Sequence, residues 1–198
     1  MNKLVFATGN MNKLREIKEI LSGLDIEVIS MKEAGIDVDI VEDGDTFEAN
    51  ALIKARAVCK ASGHMAVADD SGLVVDALGG EPGIYSARYM GEDTSYDIKN
   101  QAIIDRLNGV PDEERSARFV CAAALVLPDG REYVFVEAME GRIGYEIAGQ
   151  NGFGYDPIFY LPEYGKTSAE ISPDEKNAIS HRGKAMRKMA DFLRGLNI

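Results

Sequence analysis

The chain has 198 residues, 45% of them hydrophobic and 28% charged, with a formal net charge of −11. That is enough chain for one domain with a substantial core, or at most two closely joined lobes. The acidic balance argues against a nucleic-acid binder, which needs a basic surplus to offset a phosphate backbone, but not against a small phosphorylated ligand, because a few lysines and a divalent cation reverse the field inside a cleft.

The apolar run at "FVCAAALVLP" is far short of the roughly 20 residues of a membrane span, and no signal-peptide pattern opens the sequence. No membrane partner is therefore expected. Cys59 and Cys121 read as reduced, buried thiols of a cytoplasmic protein. Two histidines, His64 and His181, argue against a zinc centre.

In chain order, Lys3 to Ala7 reads as a strand and Asn12 to Leu21 as a helix. Leu14, Ile17, Ile20 and Leu21 share one helix face, and Asn10 suits the cap. "DIEVIS" alternates like a second strand. In "DTFEANALIKARAVCKASG", Phe47, Ala51, Ala55 and Val58 recur at helical spacing and Gly63 is a stop. Asn50 and Lys54, four apart, share a face of that helix. "MAVADDSGLVVDAL" reads as a strand, a break at Asp69 to Gly72, and a second apolar run. "GGEPGIYSARYMGED" reads as a long loop and Thr94 to Leu107 as a helix. "SARFVCAAALVLPDGREYVFVEAMEG" forms a hairpin turning at Pro128-Asp129-Gly130. Ser172-Pro173-Asp174-Glu175 has capping-box spacing. A last helix then carries Met186, Met189, Phe192, Leu193 and Leu196 on its apolar face. Early strand–helix alternation followed by a long hairpin predicts an α/β fold, a mixed sheet covered by helices.

Several stretches carry chemistry. "ATGNMNK" sets a hydroxyl, an amide and Lys13 around a helix start, where backbone N–H groups attract phosphate; its plainer reading is an ordinary strand–helix turn. No Walker A pattern occurs. In "VADDSGL" the two aspartates follow a strand, where neighbours face opposite ways, so Asp69 and Asp70 are expected to do different jobs. A turn is the commoner use of Asp-Ser-Gly. Glu42, Asp43, Asp45 and Glu48 precede a helix, either to offset its dipole or to give Mg²⁺ a carboxylate. In "GFGYDPIF" the glycines let backbone approach a flat ligand, and Phe153 or Tyr155 can stack on a base or simply pack. In "EKNAISHRG", Lys176, His181 and Arg182 offer donors to a base edge or charge to a helix surface.

Together, in this order, "TGNMNK", "EDGDTFEANALIKA", "ADDSGL", "GGEPGIYSARY", "GFGYDPIF" and "EKNAISHRG" closely resemble the inosine/xanthosine triphosphate pyrophosphatase family, from Thr8 to Arg182. The one departure is "FEAN", where many members have Glu directly before Asn. The resemblance implies hydrolysis of aberrant purine nucleoside triphosphates (ITP, dITP, XTP) to the monophosphate and pyrophosphate. It implies a single domain over residues 1–198, an elongated mixed sheet with helices on both sides, and a central cleft between two lobes. It implies Mg²⁺ on Glu42 and Asp70, with Asp70 also activating water. Thr8, Gly9, Asn10, Met11, Asn12 and Lys13 fall on the phosphate loop, Lys54 near the triphosphate, and Ser71 on a substrate contact. Phe153, Gly154, Tyr155, Asp156, Lys176, His181 and Arg182 fall on the base site. A cytoplasmic homodimer is implied as well. Two alternatives are a Maf-type pyrimidine triphosphate pyrophosphatase, against which the "SHR" and "FGYDP" blocks speak, and a non-catalytic nucleotide-binding regulator, against which Asp70 and Glu42 speak.

Overall fold

The computed structural model describes residues 2–196, without the side chains of Asn12 and Glu16. Its elements are β1 (Asn2–Phe6), α1 (Met11–Ile20), β2 (Ile26–Ser30), α2 (Phe47–Ser62), β3 (Met65–Val75) and α3 (Tyr96–Arg106), then β4 (Ser116–Val126), β5 (Glu132–Ile143), β6 (Phe159–Leu161), β7 (Lys166–Thr167), α4 (Pro173–Ile179) and α5 (His181–Gly195). The sheet order is β2-β1-β3-β4-β5-β6-β7. β1 runs parallel to β2 and β3, and β6 runs antiparallel to β5 and β7. The sheet is thus mixed, as the order of strands and helices in the sequence predicts.

The chain divides into two compact units. The first comprises residues 1–70, 121–137 and 182–198, and the second residues 71–120 and 138–181. In the first, strand side chains alternate between two cores, as the pleat requires. Leu4, Phe6, Met65, Val67, Cys121, Ala123 and Leu125 pack with α1 and α5 through Leu14, Ile17, Met186 and Met189. Val5, Ala7, Ala66, Ala68, Ala122 and Ala124 pack with α2 through Ala51, Ala55 and Val58. Alanine on both sides of this second layer suits close approach of helix and sheet. In the second unit, Leu73, Ile103, Leu107, Phe119, Met139, Ile158 and Phe159 form a core of their own.

The caps follow from the sequence. The Thr46 hydroxyl accepts from Ala49 N at the start of α2, and Gly63 ends that helix at φ +66°. The Ser172 capping box is formed in full. Cys59 and Cys121 are free and buried. No helix among the described residues is long and apolar enough to cross a membrane.

One expectation is corrected. β3 has no break at Asp69 to Gly72, and its strand runs on through these residues from Met65 to Val75. Asp-Asp-Ser-Gly favours a turn when judged by local propensity. Here Asp69 and Asp70 are partnered by lysines and an arginine instead, so their side chains need not fold back on the local backbone.

Candidate active site

The alternation that sorts the two cores also sorts the two aspartates. Met65 and Val67 lie on the α1/α5 face, and two residues further on Asp69 meets one residue from each of those helices. Lys13 Nζ, from α1, donates to Asp69 Oδ1 and Oδ2 at 3.0 and 2.8 Å. Arg182 Nε, from α5, donates to Asp69 Oδ2 at 3.1 Å. Asp69 is 2% exposed. Burial alone would push its carboxyl up, but Lys13 and then Arg182 outweigh burial and hold it well below the usual carboxylate range.

Ala66 and Ala68 lie on the α2 face, and two residues further on Asp70 meets groups carried by α2 and the segment before it. Lys54 Nζ lies 3.6 Å from Asp70 Oδ1 and 2.8 Å from Glu42 Oε2. Asn50, on the same helix, is 1% exposed and accepts at Oδ1 from Gly44 N at 2.9 Å. Burial raises the Asp70 carboxyl above its ordinary value, and the nearby Glu42 and Asp69 charges add to that, against the lowering effect of Lys54 and Asn50. Adjacent carboxylates are therefore pushed in opposite directions, a pattern that separates a fixed charge from a proton-accepting group. Asp70 Oδ2 is buried and has no hydrogen-bond partner among the described residues.

The loop after β1 is self-tied. Thr8 Oγ1 accepts from Asn10 N at 3.1 Å, and Asn10 Oδ1 accepts from Lys13 N at 3.4 Å. A side chain on Gly9 would meet open space, and Met11 is 69% exposed. The side chain of Asn12 lies outside the described set.

In the second unit, Ser71 is half-buried. Phe153 is 53% exposed, with Lys176 Nζ 5.1 Å from its ring centroid. Asp156 is buried. It accepts from Phe153 N at 2.8 Å and from Ser168 Oγ at 2.8 Å, and it pairs with Lys176. Gly152 and Gly154 have φ of +75° and +67°, so the turn that presents Phe153 needs glycine on either side. Tyr155, by contrast, is turned inward. Its hydroxyl donates to Ser86 O at 2.7 Å, and its ring meets the edge of Tyr96 at 5.2 Å. His181 is buried and stacks on Phe119 at 5.0 Å.

The structure thus gathers Lys13, Asp69 and Arg182 into one cluster and Glu42, Lys54 and Asp70 into another, both in the first unit. It gathers Phe153, Asp156 and Lys176 in the second. Two roles were not foreseen. Asp69 serves as the buried counter-charge of Lys13 and Arg182. Asn100, on α3 and 1% exposed, donates from Nδ2 to Gly154 O at 3.0 Å and so braces the Phe153 turn. Period-two alternation foretells that Asp69 differs from Asp70. Nothing local marks Asn100, which sits among polar neighbours in "SYDIKNQ".

A mixed α/β scaffold carries these clusters, and a model of the Ham1 family matches residues 4–192. The chain belongs to the Ham1 family. It is 48% identical over 193 aligned positions to a dITP/XTP pyrophosphatase of Geobacter sulfurreducens, covering 98% of this chain and 97% of the other. It is 46% identical over 202 aligned positions to a dITP/XTP pyrophosphatase of Clostridium perfringens, covering 99% of each. Among solved structures, a HAM1 protein from Coxiella burnetii superposes with a TM-score of 0.93 at 42% identity, covering 99% of this chain and all of that one.

Proposed function

We propose that this protein hydrolyses the aberrant purine nucleoside triphosphates ITP, dITP and XTP to the monophosphate and pyrophosphate. The observation that carries the reading is the pair Asp69 and Asp70. One carboxylate is locked between two cations, while its neighbour is raised and keeps a buried oxygen open beside Glu42 and Lys54. Full-length similarity to dITP/XTP pyrophosphatases supports the substrate class.

Mg²⁺ fits the donor set. It takes oxygen ligands and prefers one or two carboxylates plus substrate phosphates. Glu42 and Asp70 would hold it. A larger protein cage is not required, and no group of three or more His, Cys, Asp or Glu is gathered for a metal among the described residues. When bound, the ion offsets charge on the triphosphate. Lys54, between Glu42 and Asp70, offsets their mutual repulsion and lies ready for a phosphate oxygen. Lys13 and the Thr8–Lys13 loop bind the polyphosphate, and Ser71 makes a further substrate contact. Asp70 orients the water that attacks the α-phosphorus. Its carboxylate accepts the proton the water gives up, and pyrophosphate leaves.

Phe153 stacks on the base, Gly154 lets backbone approach it, and Asp156 and Tyr155 hold the turn from behind. Lys176, His181 and Arg182 supply donors for the 6-oxygen of hypoxanthine or xanthine. ATP presents an amino group there, which leaves donors unmatched at about 1–3 kcal/mol each. We read the protein as a cytoplasmic homodimer. Tyr85, Met90 and Ile98 of the second unit, each more than half exposed, are apolar surface that self-association would cover.

Pyrophosphate release from ITP, XTP, dUTP, GTP and ATP, with and without Mg²⁺, tests the function. Preference for dUTP would favour a pyrimidine-directed enzyme, and binding without release would favour a regulator. The two ends of the substrate should separate by mutation. Lys13→Ala is expected to lower kcat/KM for every triphosphate by a similar factor, since a phosphate contact carries no base information. Arg182→Ala is expected to lower kcat/KM for ITP about tenfold more than for ATP, and Phe153→Ala to weaken both alike. An unchanged ITP-to-ATP ratio in Arg182→Ala removes this arginine from base selection.

A further inference from the structure

The mechanism above leaves one buried polar side chain next to the metal carboxylates without a task. Asn50 is 1% exposed and sits in the first turns of α2, one helical turn before Lys54. Asn50 Oδ1 accepts from Gly44 N at 2.9 Å. The Asn50 amide lies near enough to the Asp70 carboxyl to lower it against the effect of burial. Gly44 belongs to the segment that carries Glu42, and that segment has no regular secondary structure of its own. An independent observation bears on the same joint. A Cβ on Gly44 would fall 2.7 Å from Asn50 Oδ1, 2.8 Å from Ala49 Cβ and 3.0 Å from Asn50 N. The segment therefore approaches α2 so closely that only glycine fits.

We propose that Asn50 is a positioning residue that sets the spacing of Glu42 and Asp70, so that both carboxylates are placed for one divalent cation before substrate arrives. The argument is geometric. Glu42 lies two residues from Gly44 in a loop, and Asp70 lies in a strand. Lys54 touches both carboxylates but is a flexible four-carbon chain that follows wherever they move. Asn50 is short, buried and fixed by its helix, so its hydrogen bond from Gly44 N ties the Glu42 segment to α2, against which β3 packs through Ala66 and Ala68 just before Asp70. Asp70 keeps a buried Oδ2 without a hydrogen-bond partner among the described residues. Groups that orient metal-binding carboxylates typically change metal affinity 10–100-fold when removed.

The inference rests on Glu42 and Asp70 being the metal carboxylates, and the test separates the two ideas. Mn²⁺ binding to the protein without substrate is measured by electron paramagnetic resonance or calorimetry, alongside thermal unfolding and the Mg²⁺ dependence of turnover. Asn50→Ala is expected to weaken Mn²⁺ binding about tenfold or more and to raise the Mg²⁺ needed for half-activity by a similar factor. Loss in kcat at saturating Mg²⁺ should be smaller. Gly44→Ala, which leaves the Asn50 side chain in place, should weaken Mn²⁺ in the same direction, and the double variant should be little worse than Asn50→Ala alone. A folded Asn50→Ala protein that binds Mn²⁺ as wild type overturns the proposal, because a purely structural asparagine would lower the unfolding temperature and leave the dissociation constant alone. If Asn50→Ala does not fold, wild-type binding in Gly44→Ala overturns it equally. If Asp70→Asn binds Mn²⁺ as wild type does, the metal assignment fails and this inference falls with it. If Asp70→Asn abolishes binding while Asn50→Ala and Gly44→Ala do not alter it, only the role of Asn50 is refuted.

Discussion

Asp70→Asn is expected to lower kcat by about a hundredfold or more while the protein remains folded. Asparagine keeps the shape, so the packing of β3 against α2 survives. What is lost is the charge beside Glu42 and Lys54 and the ability to accept a proton. The wild-type pH profile should rise as Asp70 ionises, because only the ionised form serves, and the variant should lack that rise. Stability should move the other way. A carboxyl whose folded value lies above its unfolded value of about 3.9 adds stability below that value and loses it as pH climbs through the folded one. At neutral pH the variant should therefore unfold at a temperature no lower than wild type, a trade of stability for activity seen at many active sites. Pyrophosphate release from pH 4 to 9 and a melting curve at neutral pH decide the matter. Near-wild-type turnover with unchanged Mg²⁺ dependence would strip Asp70 of both roles.

Asp69→Asn should behave in the opposite way. It leaves Lys13 and Arg182 without their buried counter-charge, and removing one member of such a set costs about 3–5 kcal/mol. Lys13 is about one-fifth exposed, so the lower end of that range, about 3 kcal/mol, is expected. The sign with pH is reversed too. A carboxyl held below its ordinary value contributes stability above that value and loses it as pH falls towards the folded one. Wild type should lose this contribution in acid, and the curves of the two proteins should converge there. Urea unfolding at pH 7 and at about pH 2, below the unfolded value of about 3.9, measures both. If the two proteins are equally stable at pH 7, Asp69 is not the anchor of this cluster. Replacing Lys13 by Met in the Asp69→Asn background should recover part of the loss.

Much of this was legible in residue order. Helical spacing marks α2 and α5, capping residues mark the ends of α2 and the start of α4, and strict alternation foretells that adjacent aspartates part company. Local propensity misled at Asp69 to Gly72, because a turn signal there is overridden by partners 56 and 113 positions away, Lys13 and Arg182. The inward turn of Tyr155 was equally hidden, since an aromatic between glycines looks the same whether it stacks or packs. Its partner Ser86 lies 69 positions off. Pairings at such separations leave no local trace.

β3 also carries a constraint of arithmetic. From Met65 to Asp70 each residue is assigned to a side by counting, odd positions towards α1 and α5 and even positions towards α2. Exchanging one small apolar residue for another at Ala66 or Ala68 preserves the count. Deleting a single residue there would slide the remainder by one and hand each aspartate the other's neighbours. The carboxyl meant to stay charged would lose its cations, and the one meant to take up a proton would be clamped between them. In this stretch the number of residues is a tighter specification than their identity. A library of single-residue deletions across β3 should therefore fail where a library of conservative exchanges succeeds.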